Sequence, residues 1–391
     1  MGAAHAGGDL LMGSRILREL GLRRVVNARG PMTVSGAAAM PREVIDAMAD
    51  VAGSFVLVDE LHERVNTVAA NVTGAEAALV TSGAAAGIVA AVAGCMTGRN
   101  RAHVNRLPDT TGLRNEVIVQ TGHLVTYVHQ VRMTGARVVT VGAVYPVLAE
   151  DLEAAIGPQT AAIFHVVSQH CPQKGMVPLD EVIRIGKAHR IPVIVDAAAE
   201  IDLRGHIAAG ADIVIYSGGK AIAGPSASGF ICGRRGLIQA AALHFDGICR
   251  SMKIGKEGMA ALLAALRLYE RRDHEQTSKE WVQRCDRLVG LLCDLGAIDV
   301  RIRRDWGYQI DPDGRAVPRV EIRFDERDGG RRAKEVVRQL RAGDPVILLR
   351  DYWADSGVVH VDVTCLDDAE VELVAERVRV AISGPQKGTR Q

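Results

Sequence analysis

Asp212-Ile213-Val214-Ile215-Tyr216-Ser217-Gly218-Gly219-Lys220 decides the reading of this chain. An unbroken apolar run ends in a glycine-rich turn that delivers a lysine. That is the pattern of a strand buried on both faces and stopping at a sheet edge. Upstream, Ile191-Pro192-Val193-Ile194-Val195 ends in the same way on Asp196. The acid and the lysine are separated by about one crossover connection plus a strand, which brings both groups to one sheet edge. An amine and a carboxylate so placed suit pyridoxal phosphate. Lys220 forms the Schiff base, and Asp196 keeps the pyridine nitrogen protonated so that the ring accepts electrons. Taken singly, an Asp at a strand end more often caps the next segment than binds a cofactor, and Lys220 reads as a surface lysine.

Working outward, short β-branched runs at 77–80, 117–119, 137–141, 161–167, 192–195, 212–216 and 229–232 alternate with helical stretches. Leu179, Val182, Ile183 and Gly186 recur at helical spacing. Apolar strands without alternation predict an α/β fold, a mostly parallel seven-stranded sheet with helices on both faces. Ligands of such sheets bind beyond the carboxyl ends of the strands, where Ser82, Asp196 and 217–220 fall. After Gly258 the texture changes. Leu262, Leu266 and Tyr269 mark one face of a long helix, and Asp367 with Glu370 reads as a cap. Strands at 320–324, 346–349 and 358–363 alternate with helices at 330–340 and 368–382, the first strand entered through Pro318. This predicts a smaller α+β C-terminal domain. The expected division is an N-terminal arm and segment (1–64), a large cofactor-binding domain (65–257) and a small domain (258–391). Residues 2–13 and 386–391 read as frayed ends.

The chain has 391 residues, enough for two domains rather than one small core. Charged residues at 24% and a net charge of +1, with both signs interspersed, give no footprint for nucleic acid or an anionic membrane. The seven cysteines include no CxxC pair, so free thiols, a reducing compartment and no metal site are expected. The uncharged stretch 77–98 is long enough to span a membrane, but Thr81-Ser82-Gly83 interrupts it with turn chemistry. It reads better as a buried strand turning into a buried helix. Leu10, Leu11 and Met12 make too short an apolar cluster for a signal peptide. A cytoplasmic protein is the expectation.

Other candidates gather around the same edge. Ser82-Gly83-Ala84 closes a strand and opens a helix, so its N–H groups suit a phosphate, or simply a tight turn. Ser217 is a second phosphate donor. His123 follows a strand and reads either as a ring-stacking imidazole or as a buried or capping histidine. Ala198, two residues past Asp196, points to the acid's side and suits the other ring face. Gln169 and His170 lie past another strand end, toward the cofactor's phenolic oxygen or the substrate. Arg250 and Arg350 are candidate clamps for a carboxylate or phosphate, or solvated arginines.

These residues match a family. The segment from Ser217 to Gly229 resembles the lysine loop of selenocysteine-synthase-like pyridoxal enzymes, within that group most like the D-glucosaminate-6-phosphate ammonia-lyase type. Asn27-Ala28-Arg29-Gly30-Pro31-Met32-Thr33, Thr81 to Ala86, Asn115 to Gln120 and Met252 to Glu257 fit as well. The resemblance implies a fold-type-I pyridoxal-phosphate-dependent enzyme working as a homodimer or higher homo-oligomer. Lys220 would carry the cofactor, Asp196 its ring nitrogen, and Ser82, Gly83, Ala84 and Ser217 the phosphate. His123 would take the ring face, with Thr33, His170, Arg250 and Arg350 toward the substrate. Two departures bear on that substrate. Cys249 and Ser251 flank Arg250 where the family has Gly and Pro, and a late Asp-Pro-Arg-like segment reads Asp362-Val363-Thr364-Cys365. The resemblance therefore does not carry over a sugar-phosphate substrate. Selenocysteine synthase itself is not expected, because only about twenty residues precede Gly21 and no positive excess serves tRNA.

The expected activity is a lyase on a small amino acid or amino sugar acid, with Lys220 removing the α-proton and a Cβ group leaving, to release ammonia and a keto acid. An aminotransferase or an amino-acid racemase is the alternative, since the same cofactor chemistry serves both. A non-catalytic relative is the contrasting class, opposed by the retention of lysine, acid and phosphate turn together.

Overall fold

The computed structural model describes residues 14–143, 146–168, 170–304, 309–324 and 329–383. Both expected frayed ends and Gln169 lie outside the described residues. The chain divides into two units, each discontinuous in sequence.

The first strand, β1 (Val25–Ala28), belongs to the smaller unit. Seven strands then form the sheet of the larger one: β2 (Ala77–Thr81), β3 (Glu116–Gln120), β4 (Arg137–Val141), β5 (Thr160–Val166), β6 (Val193–Asp196), β7 (Ile213–Ser217) and β8 (Gly229–Gly233). Their order is β2-β8-β7-β6-β5-β3-β4. Only β8 runs against its neighbours. Every residue of β5, β6 and β8 is buried, the physical reason these strands read as apolar runs instead of alternating patterns. Two apolar clusters fill the sides of the sheet. One takes Val80, Ile118, Val195 and Val214; the other takes Leu79, Val119, Ile194, Ile213 and Ile215.

The uncharged stretch resolves as expected into β2 and the helix Ala84–Thr97, which is buried almost throughout. Its alanines and glycines let it lie close against the helix Arg235–Ala242. Among the described residues no helix is long and apolar enough to cross a membrane.

The unit boundary differs from the expected 257/258. The helix Lys256–Arg271 packs on Arg42–Ala52 and Val58–Thr73, so it remains with the large unit. Leu262, Leu266 and Tyr269 form its buried face. The described residues 309–317 also belong to the large unit. The signal misread was texture: a charged exposed face hid an amphipathic helix whose apolar side serves the larger core.

The small unit joins residues 14–31 to those from 278 to 304 and beyond 318. Strand β9 (Ile298–Arg303) pairs with β10 (Arg319–Phe324), which pairs with β12 (Val358–Val361), both antiparallel. Strand β11 (Val346–Leu349) lies parallel to β1. Arg23 caps the helix Gly329–Ala342 by donating to the carbonyls of Arg341, Ala342 and Gly343. The expected cap of the last helix forms, with Asp367 Oδ1 accepting from the Glu370 N–H.

Asp362, the start of the divergent late segment, is fully buried and holds Arg319 at 2.9 Å and Arg350 at 2.7 Å. Burial alone would raise its carboxyl, but the two guanidiniums outweigh that and hold it well below the usual carboxylate range. In this chain that segment builds the interior of the small unit.

Candidate active site

The carboxyl ends of β2, β6 and β7 and the start of antiparallel β8 meet at one edge of the large sheet. A cavity of about 250 Å³ opens there. Ser82, Gly83, Ala84, Asp196, Ala198, Ser217, Lys220 and Thr33, all expected from sequence, line it together.

Each group is positioned by its backbone. Thr81 Oγ1 donates to the Gly83 carbonyl and fixes the turn into the helix Ala84–Thr97. Among the described residues no side chain caps that helix, which leaves its first N–H groups for an anion. Gly83 adopts φ +147°, a region open to glycine alone. Gly229 backs the turn so closely that a Cβ there would lie 2.8 Å from the Ala84 nitrogen. The lysine loop is pinned by Gly218 N–H to Ser228 O and by Arg272 donating to Ala221 O. Thr33 arrives on a segment whose Ala38 N–H donates to Gly219 O.

Asp196 is buried, and its Oδ1 accepts from the Ala198 N–H at 3.2 Å. Burial raises its carboxyl above the usual value, while Lys220 and that N–H pull the other way. Burial likewise pushes the Lys220 ammonium down, opposed by Asp196 and Glu200. Both shifts have one cause, the cost of holding charge away from water. The result is a lysine disposed to be a free amine and a carboxylate with raised proton affinity. The lining also fits a phosphorylated pyridine: an uncapped helix start for the anion, a buried acid for a ring nitrogen, and an amine on the same cavity.

Four expected residues lie elsewhere. His123 is fully buried and does not line the cavity. Its Nδ1 accepts from the Val166 N–H, and its ring stands edge-on to His165 at 4.4 Å. His170 is exposed, with its ring 6.4 Å from Tyr127. Arg250 is exposed on the turn Arg250–Met252, which is tied to the turn at Gly83 by Ser82 N–H to Met252 O. Arg350 is buried in the small unit, where Asp362 and the Arg29 carbonyl occupy its guanidinium. Sequence reading missed Tyr127, Ser168 and Ser226, which line the cavity, and the buried acid Glu200. Tyr127 is the aromatic side chain of the lining. It comes four residues after His123, and a count past the strand end would have included it.

Burial pushes His123, His244 and His360 down to about 4. Between pH 6.5 and 4 the unfolded chain takes up protons that the folded histidines refuse. Stability is therefore fully present above that window and lost as pH falls through it, by up to about 3 kcal/mol per histidine. Urea unfolding at pH 7 and pH 4.5 should show this decline; equal free energies at the two would contradict it.

Comparison with known proteins sets this site in context. The profile of the L-seryl-tRNA selenium transferase family matches residues 36–283. The chain is similar to the D-glucosaminate-6-phosphate ammonia lyase of Salmonella typhimurium, 39% identical over 375 residues, covering 94% of this chain and 98% of the relative. A solved structure of D-glucosaminate-6-phosphate ammonia-lyase superposes with a TM-score of 0.80 at 38% identity, covering 95% of this chain and 99% of that one. It is also similar to a 5'-C-glycyluridine monooxygenase-decarboxylase of Streptomyces sp., 37% identical over 382 residues, covering 96% and 94%. A serine palmitoyltransferase solved with pyridoxal phosphate shares the fold alone, with a TM-score of 0.58 at 16% identity, covering 87% and 83%.

Proposed function

Because the chain belongs to the L-seryl-tRNA selenium transferase family, we propose that it is a pyridoxal-phosphate-dependent ammonia-lyase acting on a small amino acid or amino sugar acid. Its fold is the fold-type-I α/β fold of pyridoxal-phosphate enzymes. One observation carries the proposal: Lys220, Asp196 and an uncapped helix start line the same cavity.

When bound, pyridoxal phosphate supplies an electron sink for the bond broken at the substrate's α-carbon. The N–H groups after Gly83, with Ser217, hold the phosphate. Asp196 holds the proton on the ring nitrogen, a task suited to a buried carboxylate of raised proton affinity. Lys220 anchors the cofactor through its amine. As a free amine, Lys220 would take the α-proton, helped by the burial that favours its neutral form. The Cβ hydroxyl would leave as water, taking up the proton that Lys220 removed, and one water added to the dehydrated product would release ammonia and a keto acid. Thr33, Ser168 and Ser226 offer hydroxyls to the substrate, and Tyr127 an aromatic wall. Val34, Phe55 and Leu57 are exposed in the single chain, which supports a homodimer or higher homo-oligomer.

The test is an assay for ammonia and keto acid with D-glucosaminate-6-phosphate and a panel of β-hydroxy amino acids, without an acceptor. Release under those conditions is expected. Strict dependence on an added keto acid would replace the lyase with an aminotransferase. Substrate racemised without ammonia would replace it with a racemase. The Streptomyces relative motivates a further arm: oxygen consumption with carbon dioxide release would favour a monooxygenase-decarboxylase instead.

A further inference from the structure

Between Asp196 and Asp202 the chain turns through Ala198 and Ala199, which line the cavity. Each side of that turn has its own anchor. The Ala197 N–H donates to Ile215 O on β7, and the Tyr269 hydroxyl donates to Ile201 O at 2.8 Å. The residues between these anchors are held by a segment more than a hundred positions away in sequence. The Gln309 side chain donates to Ala199 O at 3.1 Å, and its backbone N–H donates to the Glu200 carboxylate at 3.0 and 2.9 Å. The Asp202 N–H adds a third link, to Ile310 O. Gln309 opens a hairpin closed by Val317 N–H to Gln309 O, by the bridge Ile310–Ala316 and by Asp311, which accepts from Arg315. This hairpin belongs to the large unit, although β9 and β10, which flank it in sequence, belong to the small one.

We infer that Gln309 is a positioning residue for the cavity: it holds the wall at Ala198 and Ala199, and through that wall the carboxylate of Asp196. Asp196 Oδ1 accepts from the Ala198 N–H at 3.2 Å, and Ala198 precedes the carbonyl that Gln309 grips. A slack carbonyl at Ala199 therefore lets both the wall and the acid's donor drift. Gln309 and Glu200 are each 5% exposed, so water is a poor substitute for either bond. The backbone points the same way. Gln309 is held at φ +55°, a left-handed conformation that glycine adopts freely and a side-chain-bearing residue adopts under strain. A long amide stands where glycine would sit more easily, and that amide is what reaches the wall.

This rests on the cofactor site proposed above, and the test separates the two. Full-length Gln309→Gly keeps the backbone N–H for Glu200, relieves the left-handed strain and removes the bond to Ala199 O. In chain freed of pyridoxal phosphate, amide hydrogen exchange across 197–203 should quicken about fivefold, with β6 and β7 unchanged. Titrated with pyridoxal phosphate, the variant should bind about fivefold more weakly, and its near-visible band should lose circular dichroism. Unchanged exchange in the loop overturns the inference, whether or not the wild type takes up the cofactor. Faster exchange with unaltered affinity and dichroism overturns it as well, because Gln309 then serves stability alone. A wild type that binds no cofactor refutes the proposed function instead, and exchange alone then decides whether Gln309 holds the wall. If Gln309→Gly does not fold, Gln309→Asn is read in the same way: asparagine tolerates the left-handed conformation, and its shorter amide does not reach Ala199 O.

Discussion

Lys220→Ala yields a folded chain that, purified with pyridoxal phosphate, lacks the near-visible absorption band expected of the wild type and has lost activity by about 10⁴-fold or more. The size follows from two losses at one atom. The amine is both the covalent anchor and the base for the α-proton, and each role alone is worth orders of magnitude. Folding should survive, because burial already disfavours the ammonium and Asp196, whose proton affinity burial raises, can itself take up a proton when the amine is gone. Absorbance, circular dichroism and an ammonia assay on the same preparation check all three parts. A variant that keeps the band would remove Lys220 from the centre of the site, and a colourless wild type would remove the cofactor.

Asp196→Asn should separate binding from chemistry. The amide keeps the size of the carboxylate and its acceptor for the Ala198 N–H, and the phosphate contacts are untouched. The cofactor band should persist. Turnover should fall by about 10²- to 10⁴-fold, since a neutral amide no longer stabilises the charge that makes the ring an electron sink. Wild-type turnover in the asparagine variant would defeat the assignment.

The large sheet was legible because its strands are buried on both faces. Val193–Asp196 and Ile213–Ser217 stand within a residue of the apolar runs read as strands, and their ends carry Asp196 and Ser217 to the cavity. Ser82, Gly83 and Ala84 were legible for a related reason, since a strand breaking into a helix through glycine has few other forms. Loops were less legible. Tyr127 and Ser168 reach the cavity through turns whose paths depend on tertiary contacts, whereas His123, on the same turn, folds inward against His165. Arg350 ends a strand as expected, but a carboxylate of the chain itself, Asp362, claims it. Glu200 was hidden because its partner, Gln309, is distant in sequence and no local pattern announces the pairing.

The parallel pairing of β1 with β11 has a consequence for biosynthesis. Val25 leaves the ribosome hundreds of residues before Val346, its partner in the ladder. The long sheet that houses Lys220 has all its strands by Gly233, so it can collapse early, while the ladder of the small unit waits for Val346–Leu349. Closing that ladder therefore waits on a strand made long after its partner.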